Sequence, residues 1–434
     1  MNVYSFPQGG LDLSDPTAPP RETSVLAFLP LFSVIPLSSH SGGRVYSLVS
    51  AGDVVKEGML VGRASGSGAV NVHATVPGRV VRKALWKDIE GLNNEALVIR
   101  MEGAFEKLGK KEERFQWAGM NSHDIQRVIS DYGIVEMENR GRPLADKISN
   151  LRREADKLTL VVRCVFDDPW LAADYVLCKE RLKEMVEGCF ITARACKNVE
   201  KVLFAVSRRE KELGEELLAE AAAAGEMDCS LVLVGNRYPQ RNKRELELSL
   251  RMYEKKENLD MGSFIIFGPA TMAAVYDAVK LRKPILDRYV AVGGSAVKNP
   301  SVIKARVGTR IAELVEQCGG FTGKPSRIIV GSPIAGREIV SMDEPVDKTC
   351  YAVYAMTEAP DGYKRENCMN CGECRQVCPV GLDPEDMYKR IVNAKAGEPL
   401  FFDCHGCGCC KVVCPSALPL SDLVGEEKLG VPHD

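Results

Sequence analysis

The chain has 434 residues, 45% hydrophobic and 27% charged, with a formal net charge of -2, the balance of an ordinary globular protein and not of a disordered or fibrous one. That length exceeds what one hydrophobic core serves and predicts three or more domains, while the near-neutral charge gives no electrostatic ground for binding nucleic acid. No run approaches the roughly 20 apolar residues that span a bilayer; the nearest, Val25 to Leu37, is interrupted by Pro30 and Pro36 and has no basic segment before it or small-residue cleavage site after it. These features predict a cytoplasmic protein without a secretory leader, free to sit peripherally on a membrane complex.

Residues 1–24 are rich in Pro, Gly, Ser and Asp and have no period, which predicts an extended N-terminal arm of little function. From 25 to 105 short β segments prevail, Arg44 to Val49 and Met59 to Gly62 in one half, Val70 to Gly78 and Arg79 to Arg82 in the other. Closely spaced glycine turns predict a small β sandwich, and its halves resemble the barrel-sandwich fold of biotinyl and lipoyl carrier domains. No lysine stands at the tip of the second hairpin to carry a prosthetic group, so the module is expected to dock and not to swing. His40 and His73 lack a second ligand at metal-binding spacing and are expected to be structural.

Residues 120–282 alternate strands and helices. Leu158 to Arg163, Lys201 to Ser207, Ser230 to Gly235 and Ser263 to Gly268 are short, nearly continuous apolar runs, as in strands buried on both faces. Helical stretches such as Ala172 to Ala195 and Arg209 to Ala224 lie between them, and this rhythm predicts a mostly parallel α/β domain, the natural seat of a nucleotide or flavin. From 283 to 350 strands surround one helix, Thr309 to Cys318, in the order of a small β-grasp module. The charged run Tyr363 to Glu366 then leads into a cysteine-rich α domain, 360–425, with a helix predicted over Pro384 to Ala396.

Sixteen cysteines are present, nine of them between Cys368 and Cys414. Clustering of that kind argues for metal and not for a disulfide framework. The other seven (Cys164, Cys178, Cys189, Cys196, Cys229, Cys318 and Cys350) lie in apolar contexts, where free cysteine behaves as a small hydrophobe. Two runs of CxxCxxCxxxCP stand out: Cys368, Cys371, Cys374, Cys378-Pro379, and Cys404, Cys407, Cys410, Cys414-Pro415. Three thiolates on a tight loop reach three irons of one cubane, and the fourth, beyond the longer gap, faces the neighbouring cluster. The expected ligand sets are therefore crossed: Cys368, Cys371, Cys374 and Cys414 for one [4Fe-4S] cluster, Cys404, Cys407, Cys410 and Cys378 for the other. Zinc knuckles are the competing structural use of CxxC, but they do not leave eight thiolates in this interleaved spacing. Cys409 falls off the register and is expected to pack, and His405 is expected to face solvent or a cluster sulfur.

The domain order resembles the C subunit of the Rnf complex. The specific stretches are Ile35 to His40 (IPLSSH), Tyr238-Pro239-Gln240, Gly268 to Val279, Val292 to Pro300, Gly331 to Gly336 and Pro345 to Lys348. The resemblance covers most of the chain and implies the order barrel-sandwich, flavoprotein-like α/β domain, β-grasp module and dicluster ferredoxin-like domain. It implies a translocase subunit: a peripheral electron-input protein on the cytoplasmic face of the cell membrane, with a soluble electron donor and the complex's other, ion-moving subunits as partners. It also implies that electrons from NADH pass through FMN in the α/β domain before reaching the clusters.

The family's flavin loop reads roughly GIVGxGGAGFPxxxK, its glycines letting backbone N–H groups close on the flavin and its phosphate. Here the loop is Gly133 to Lys147, and of the marked glycines, proline and lysine only Gly133, Gly141, Pro143 and Lys147 are kept. Glu136, Glu138 and Asn139 stand where small residues are needed, an acidic stretch after the first strand becomes Arg163 to Pro169, and Arg241 to Arg244 replaces glycines after the YPQ motif. These departures count against conventional FMN and NADH binding. Two other readings remain open: a cobalamin-reductase-like flavo-iron-sulfur protein, disfavoured by the N-terminal barrel, and a non-catalytic scaffold holding a ferredoxin module. A sodium-pumping quinone reductase subunit is set aside because the cysteine motifs are foreign to it.

Overall fold

The computed structural model describes residues 2–37, 43–87, 93–105, 113–138, 141–154, 157–357, 367–393 and 403–429. His40, Asn139, the charged run 363–366 and the end of the helix expected to reach Ala396 lie outside the described residues. The segment 1–24, expected to be a bare arm, contributes β1 (Val3–Tyr4), and β2 (Ser24–Leu26) begins at its last residue and runs into the segment assigned to the barrel; each is an edge strand of a sheet built later in the chain. Between them Arg237 donates to the carbonyls of Phe6 and Gly9 at 2.8 and 2.6 Å and lies over the Phe6 ring.

The barrel-sandwich follows as β3 (Phe32–Pro36), β4 (Arg44–Ser47), β5 (Val54–Val55), β6 (Leu60–Ser65), β7 (Val72–His73), β8 (Gly78–Lys87) and β9 (Asn93–Met101). One sheet runs β3-β9-β8-β5 and the other β4-β6-β7. Alternation along the strands turns Ile35, Val61, Val80, Leu97 and Ile99 into the space between them.

The α/β domain opens with α1 (Ser122–Asp131), whose first turn is capped by Asn121 accepting the Asp124 N–H at 2.9 Å. A hairpin of β10 (Val135–Glu136) and β11 (Arg142–Pro143) leads into α2 (Leu144–Glu154). Then come β12 (Leu158–Cys164), α3 (Ala172–Glu180), α4 (Leu182–Cys196), β13 (Val199–Ser207), α5 (Lys211–Ala224), β14 (Cys229–Val234), α6 (Lys243–Lys256), β15 (Ser263–Phe267) and α7 (Pro269–Lys280). The single helix predicted over 172–195 is two, broken at Arg181, whose guanidinium leaves the helix line to pair with Asp277 at 2.9 and 2.7 Å. The sheet is all parallel in the order β1-β14-β13-β12-β15. Because β13 and β14 lie on one side of β12 and β15 on the other, the carboxyl ends of β12 and β15 form the switch point at which open α/β sheets hold ligands.

The third module comprises β16 (Asp287–Gly293), β17 (Ser301–Arg306), α8 (Ile311–Gln317), β18 (Arg327–Val330), β19 (Arg337–Glu338) and β20 (Ala352–Met356), in a mixed sheet ordered β19-β18-β20-β16-β17-β2. Among the described residues the cysteine region forms helices: α9 (Glu373–Gln376), α10 (Pro384–Asn393), α11 (Cys409–Val412) and α12 (Leu420–Leu429).

The barrel meets the α/β domain at Lys348 and His73. Lys348 donates to the carbonyls of Gly133 and Asn71 at 2.8 and 3.3 Å, and burial lowers its ammonium to about 8. His73, buried and stacked on Tyr132 at 6.1 Å, is pushed down to about 3 by burial and then by the Lys348 charge. His73 is thus neutral when folded but titrates near pH 6.5 when unfolded. Between those values the unfolded chain binds more protons, so stability falls as pH drops through about 6.5. Thermal unfolding should come at lower temperature at about pH 5 than at about pH 7.5, and His73→Gln should flatten that dependence. An unchanged pH profile in the variant would refute the assignment.

Candidate functional site

The two cysteine motifs fold as near copies. Gly372 and Gly408, at φ of +79° and +82°, end each loop and begin a one-turn helix; a side chain there would force left-handed backbone on an L residue. These turns bring Cys374 and Cys410 onto α9 and α11. After each CP pair the chain turns again through Gly381 or Ala417, both at positive φ, whose N–H groups donate to the carbonyls of Cys378 and Cys414 at 3.2 and 3.1 Å. The next N–H groups, of Leu382 and Leu418, point at the Cys378 and Cys414 sulfurs at 3.3 and 3.5 Å, and Gly406 N–H points at Cys404 Sγ at 3.3 Å.

Four thiols, of Cys368, Cys371, Cys374 and Cys414, line one cavity. Those of Cys378, Cys404, Cys407 and Cys410 line a second, with Cys409 and His405 beside them. In each cavity the fourth cysteine of one motif stands with the first three of the other. Cys374, Cys410 and Cys414 pack together against Leu418 and Leu420, so the cavities share a wall. Among the described residues no three Cys, His, Asp or Glu side chains close on a single ion. A four-iron cubane takes each thiolate at a separate corner, so four cysteines lining one cavity are the donor set it requires. Cys409 is fully buried, and its hydrogen bond with Cys407, then burial, holds its thiol far above the ordinary range.

The second cavity faces inward. Tyr238, next to the cis Tyr238-Pro239 bond, donates to the Cys407 carbonyl at 2.6 Å, and Gly10 N–H donates to the Val377 carbonyl at 2.9 Å. His405 Nε2, beside the thiols of this cavity, lies 3.3 Å from the buried Glu245 on α6. Around the first cavity, by contrast, Cys371 and Met369 are exposed.

At the switch point of the parallel sheet lies a cleft of about 580 Å³, lined by Glu136, Glu138, Lys147, Arg163, Asn242 and Lys243 among others. The retained Lys147 does not stand free: its ammonium is 2.6 Å from Glu136 and 3.2 Å from the Ile266 carbonyl. Glu138 accepts from the Thr271 hydroxyl and from the Thr271 N–H in the first turn of α7. Burial works against its charge, yet Thr271 and the guanidiniums of Arg163, Arg241 and Arg288 hold it below the usual carboxylate range. Arg241 donates to Asp174 at 3.0 Å and its N–H to Asp167 at 2.8 Å, and Arg163 donates to the Arg241 carbonyl at 2.9 Å. Burial pushes Asp167 up to about 7. Arg288, Asp167 and Asp174 are members of this network that spacing did not single out; the only sequence signal was the charge in Arg163 to Pro169 and Arg241 to Arg244. An FMN phosphate does not fit here, since the helix N-terminus that would receive it already holds a carboxylate.

Residues 8–104 match the family model described as the RnfC barrel sandwich hybrid domain, 129–277 the Nuo51 FMN-binding domain and 289–341 the SLBB domain. The chain is 31% identical over 370 residues to the C subunit of the ion-translocating oxidoreductase complex of Rhodobacter capsulatus, covering 84% of this chain and 70% of that one. It is 30% identical to the protein of the same name from Pseudomonas aeruginosa, of which it spans half. It is 26% identical to the C subunit of the Na(+)-translocating ferredoxin:NAD(+) oxidoreductase complex of Acetobacterium woodii, over 82% of this chain and 80% of that one. A chain of an NAD+-reducing [NiFe]-hydrogenase shares the fold over 73% of this chain and 65% of that one, with a TM-score of 0.50 at 16% identity.

The Glu136–Lys147 pair is open to a double-mutant cycle. Lys147→Met takes away the nearest cation from a buried carboxylate and should destabilise the chain by about 3 kcal/mol or somewhat less, since Lys147 is partly exposed. Adding Glu136→Gln should recover much of that loss in urea unfolding. Strictly additive costs would show the two groups to be uncoupled.

Proposed function

The chain belongs to the family of Rnf-type ion-translocating oxidoreductase C subunits, and from that footing we propose that it is the peripheral subunit relaying single electrons between a soluble donor and the membrane subunits of such a complex. The observation that carries this reading is the pair of cavities, each lined by four thiols drawn from both motifs. Cys368, Cys371, Cys374 and Cys414 would hold one [4Fe-4S] cluster, and Cys404, Cys407, Cys410 and Cys378 the other. Bound there, two such clusters supply one-electron storage at adjacent points.

The chain's own groups set the conditions for that chemistry. The N–H groups of Leu382, Leu418 and Gly406 donate to ligand sulfurs and spread their negative charge, which favours the reduced state. Pro379 and Pro415 have no N–H to compete at those corners. Tyr238 and Glu245 hold the Cys404 loop against the α/β domain, while the exposed Cys371 edge leaves the other site open to a partner. No helix among the described residues is long and apolar enough to cross a membrane, and the relatives are named as subunits of ion-translocating complexes. Together these support a peripheral seat beside the other Rnf subunits, which we assign to the cytoplasmic face. The cobalamin-reductase-like and bare-scaffold readings draw no support from those relatives.

Anaerobically purified protein should contain about eight irons and eight sulfides per chain. Cys414→Ser and Cys371→Ser should remove the same paramagnetic signal on reduction, and Cys378→Ser and Cys407→Ser the other. Zinc in place of iron, or a Cys414→Ser spectrum that matches Cys407→Ser, would overturn the assignment.

A further inference from the structure

We infer that the FMN-type domain of this chain is filled by its own carboxylate, Glu138, in the place of a flavin phosphate, and that the electron donor is therefore a one-electron carrier and not a hydride donor. The geometry that points there is local. The N-terminus of α7, twelve residues long and opening on Gly268-Pro269, lies at the carboxyl end of β15. Its positive end and its free N–H groups are what an α/β fold offers to a phosphate. Glu138 already lies there, bonded to both the N–H and the hydroxyl of Thr271 and packed against Gly268 so closely that a side chain at that glycine would collide with the Glu138 carboxyl.

Two of the cations near this helix end are also engaged from within. Lys147 is bonded to Glu136, and Arg241 to Asp174. A dianionic phosphate entering this place would have to displace Glu138 and would meet the Glu136 and Asp174 charges nearby. The domain thus keeps the fold of a flavin binder and satisfies its anion seat internally.

The donor class follows from electron counting and rests on the relay reading above. A reduced nicotinamide gives up a hydride, which is a proton and two electrons, in one step; an iron-sulfur cluster accepts one electron at a time. A bound flavin ordinarily divides that pair. Without one in this chain, each thiolate-held site must be loaded by a carrier that releases single electrons, such as a reduced iron-sulfur protein or a flavin semiquinone held by another protein.

The test uses the full chain, purified anaerobically with its iron. Flavin released by acid and measured by fluorescence should be well below one-tenth per chain, and added FMN should show no saturable quenching at micromolar concentration. Reduced methyl viologen, a one-electron donor, should bleach the cluster absorption at least about a hundredfold faster than NADH at equal concentration. One FMN per chain, saturable FMN binding, or comparable bleaching by NADH alone would each overturn the inference. Glu138→Gly, which frees the seat, should acquire a rise in Tm with inorganic phosphate that the parent chain lacks; a folded variant without that response would reject Glu138 as the stand-in. The flavin count does not depend on iron. Should the protein hold no iron, the relay reading fails while the filled seat is still tested.

Discussion

Charge at the carboxyl edge of a parallel sheet has to be neutralised by something, because helix N-termini and arginines converge there in a medium of low dielectric. In this protein the neutralising groups are supplied by the chain. Glu138 sits on the first turn of α7, Glu136 on Lys147, and Asp174 and Asp167 on Arg241. Arg288, from the first strand of the next module, adds its charge to Glu138 and bonds the Cys350 carbonyl at 3.2 Å. The network therefore ties the α/β domain to the module beyond it, and the arrangement of the rest follows from its being closed.

The same edge holds the cysteine unit. Arg241 and Tyr238 belong to one loop; Arg241 anchors it in the charged network, and Tyr238 reaches the Cys407 carbonyl. The N-terminal segment locks this junction from the other side, with β1 completing the parallel sheet, Arg237 clamping Phe6 and Gly9, and Gly10 bonded to Val377 next to Cys378. A stretch without periodicity thus does a large part of the joining. Its backbone groups find partners in strands and loops more than 200 residues away, a pairing that composition does not encode.

Local signals were strong where chemistry is local. Thiol spacing in the two motifs, β-branched runs such as Leu158 to Arg163, and the glycine turns of the sandwich each specify their own conformation within a few residues. The break at Arg181 was not legible, because its cause is Asp277, nearly a hundred residues on. Nor was the partner of His405, since Glu245 reaches it only once α6 has packed against the cysteine unit.

By itself, then, the sequence determined the order of the barrel, α/β and following modules, the parallel character of the central sheet and the family, and it raised the expectation of a crossed grouping of eight cysteines, because each rests on short-range spacing or on apolar period. It also marked Glu136 and Glu138 as foreign to a flavin loop. Only the tertiary structure decided what those carboxylates do: Glu138 meets the start of α7 and three arginines from three separate segments, and long-range electrostatics of that kind exist only after the sheet has brought its carboxyl ends together.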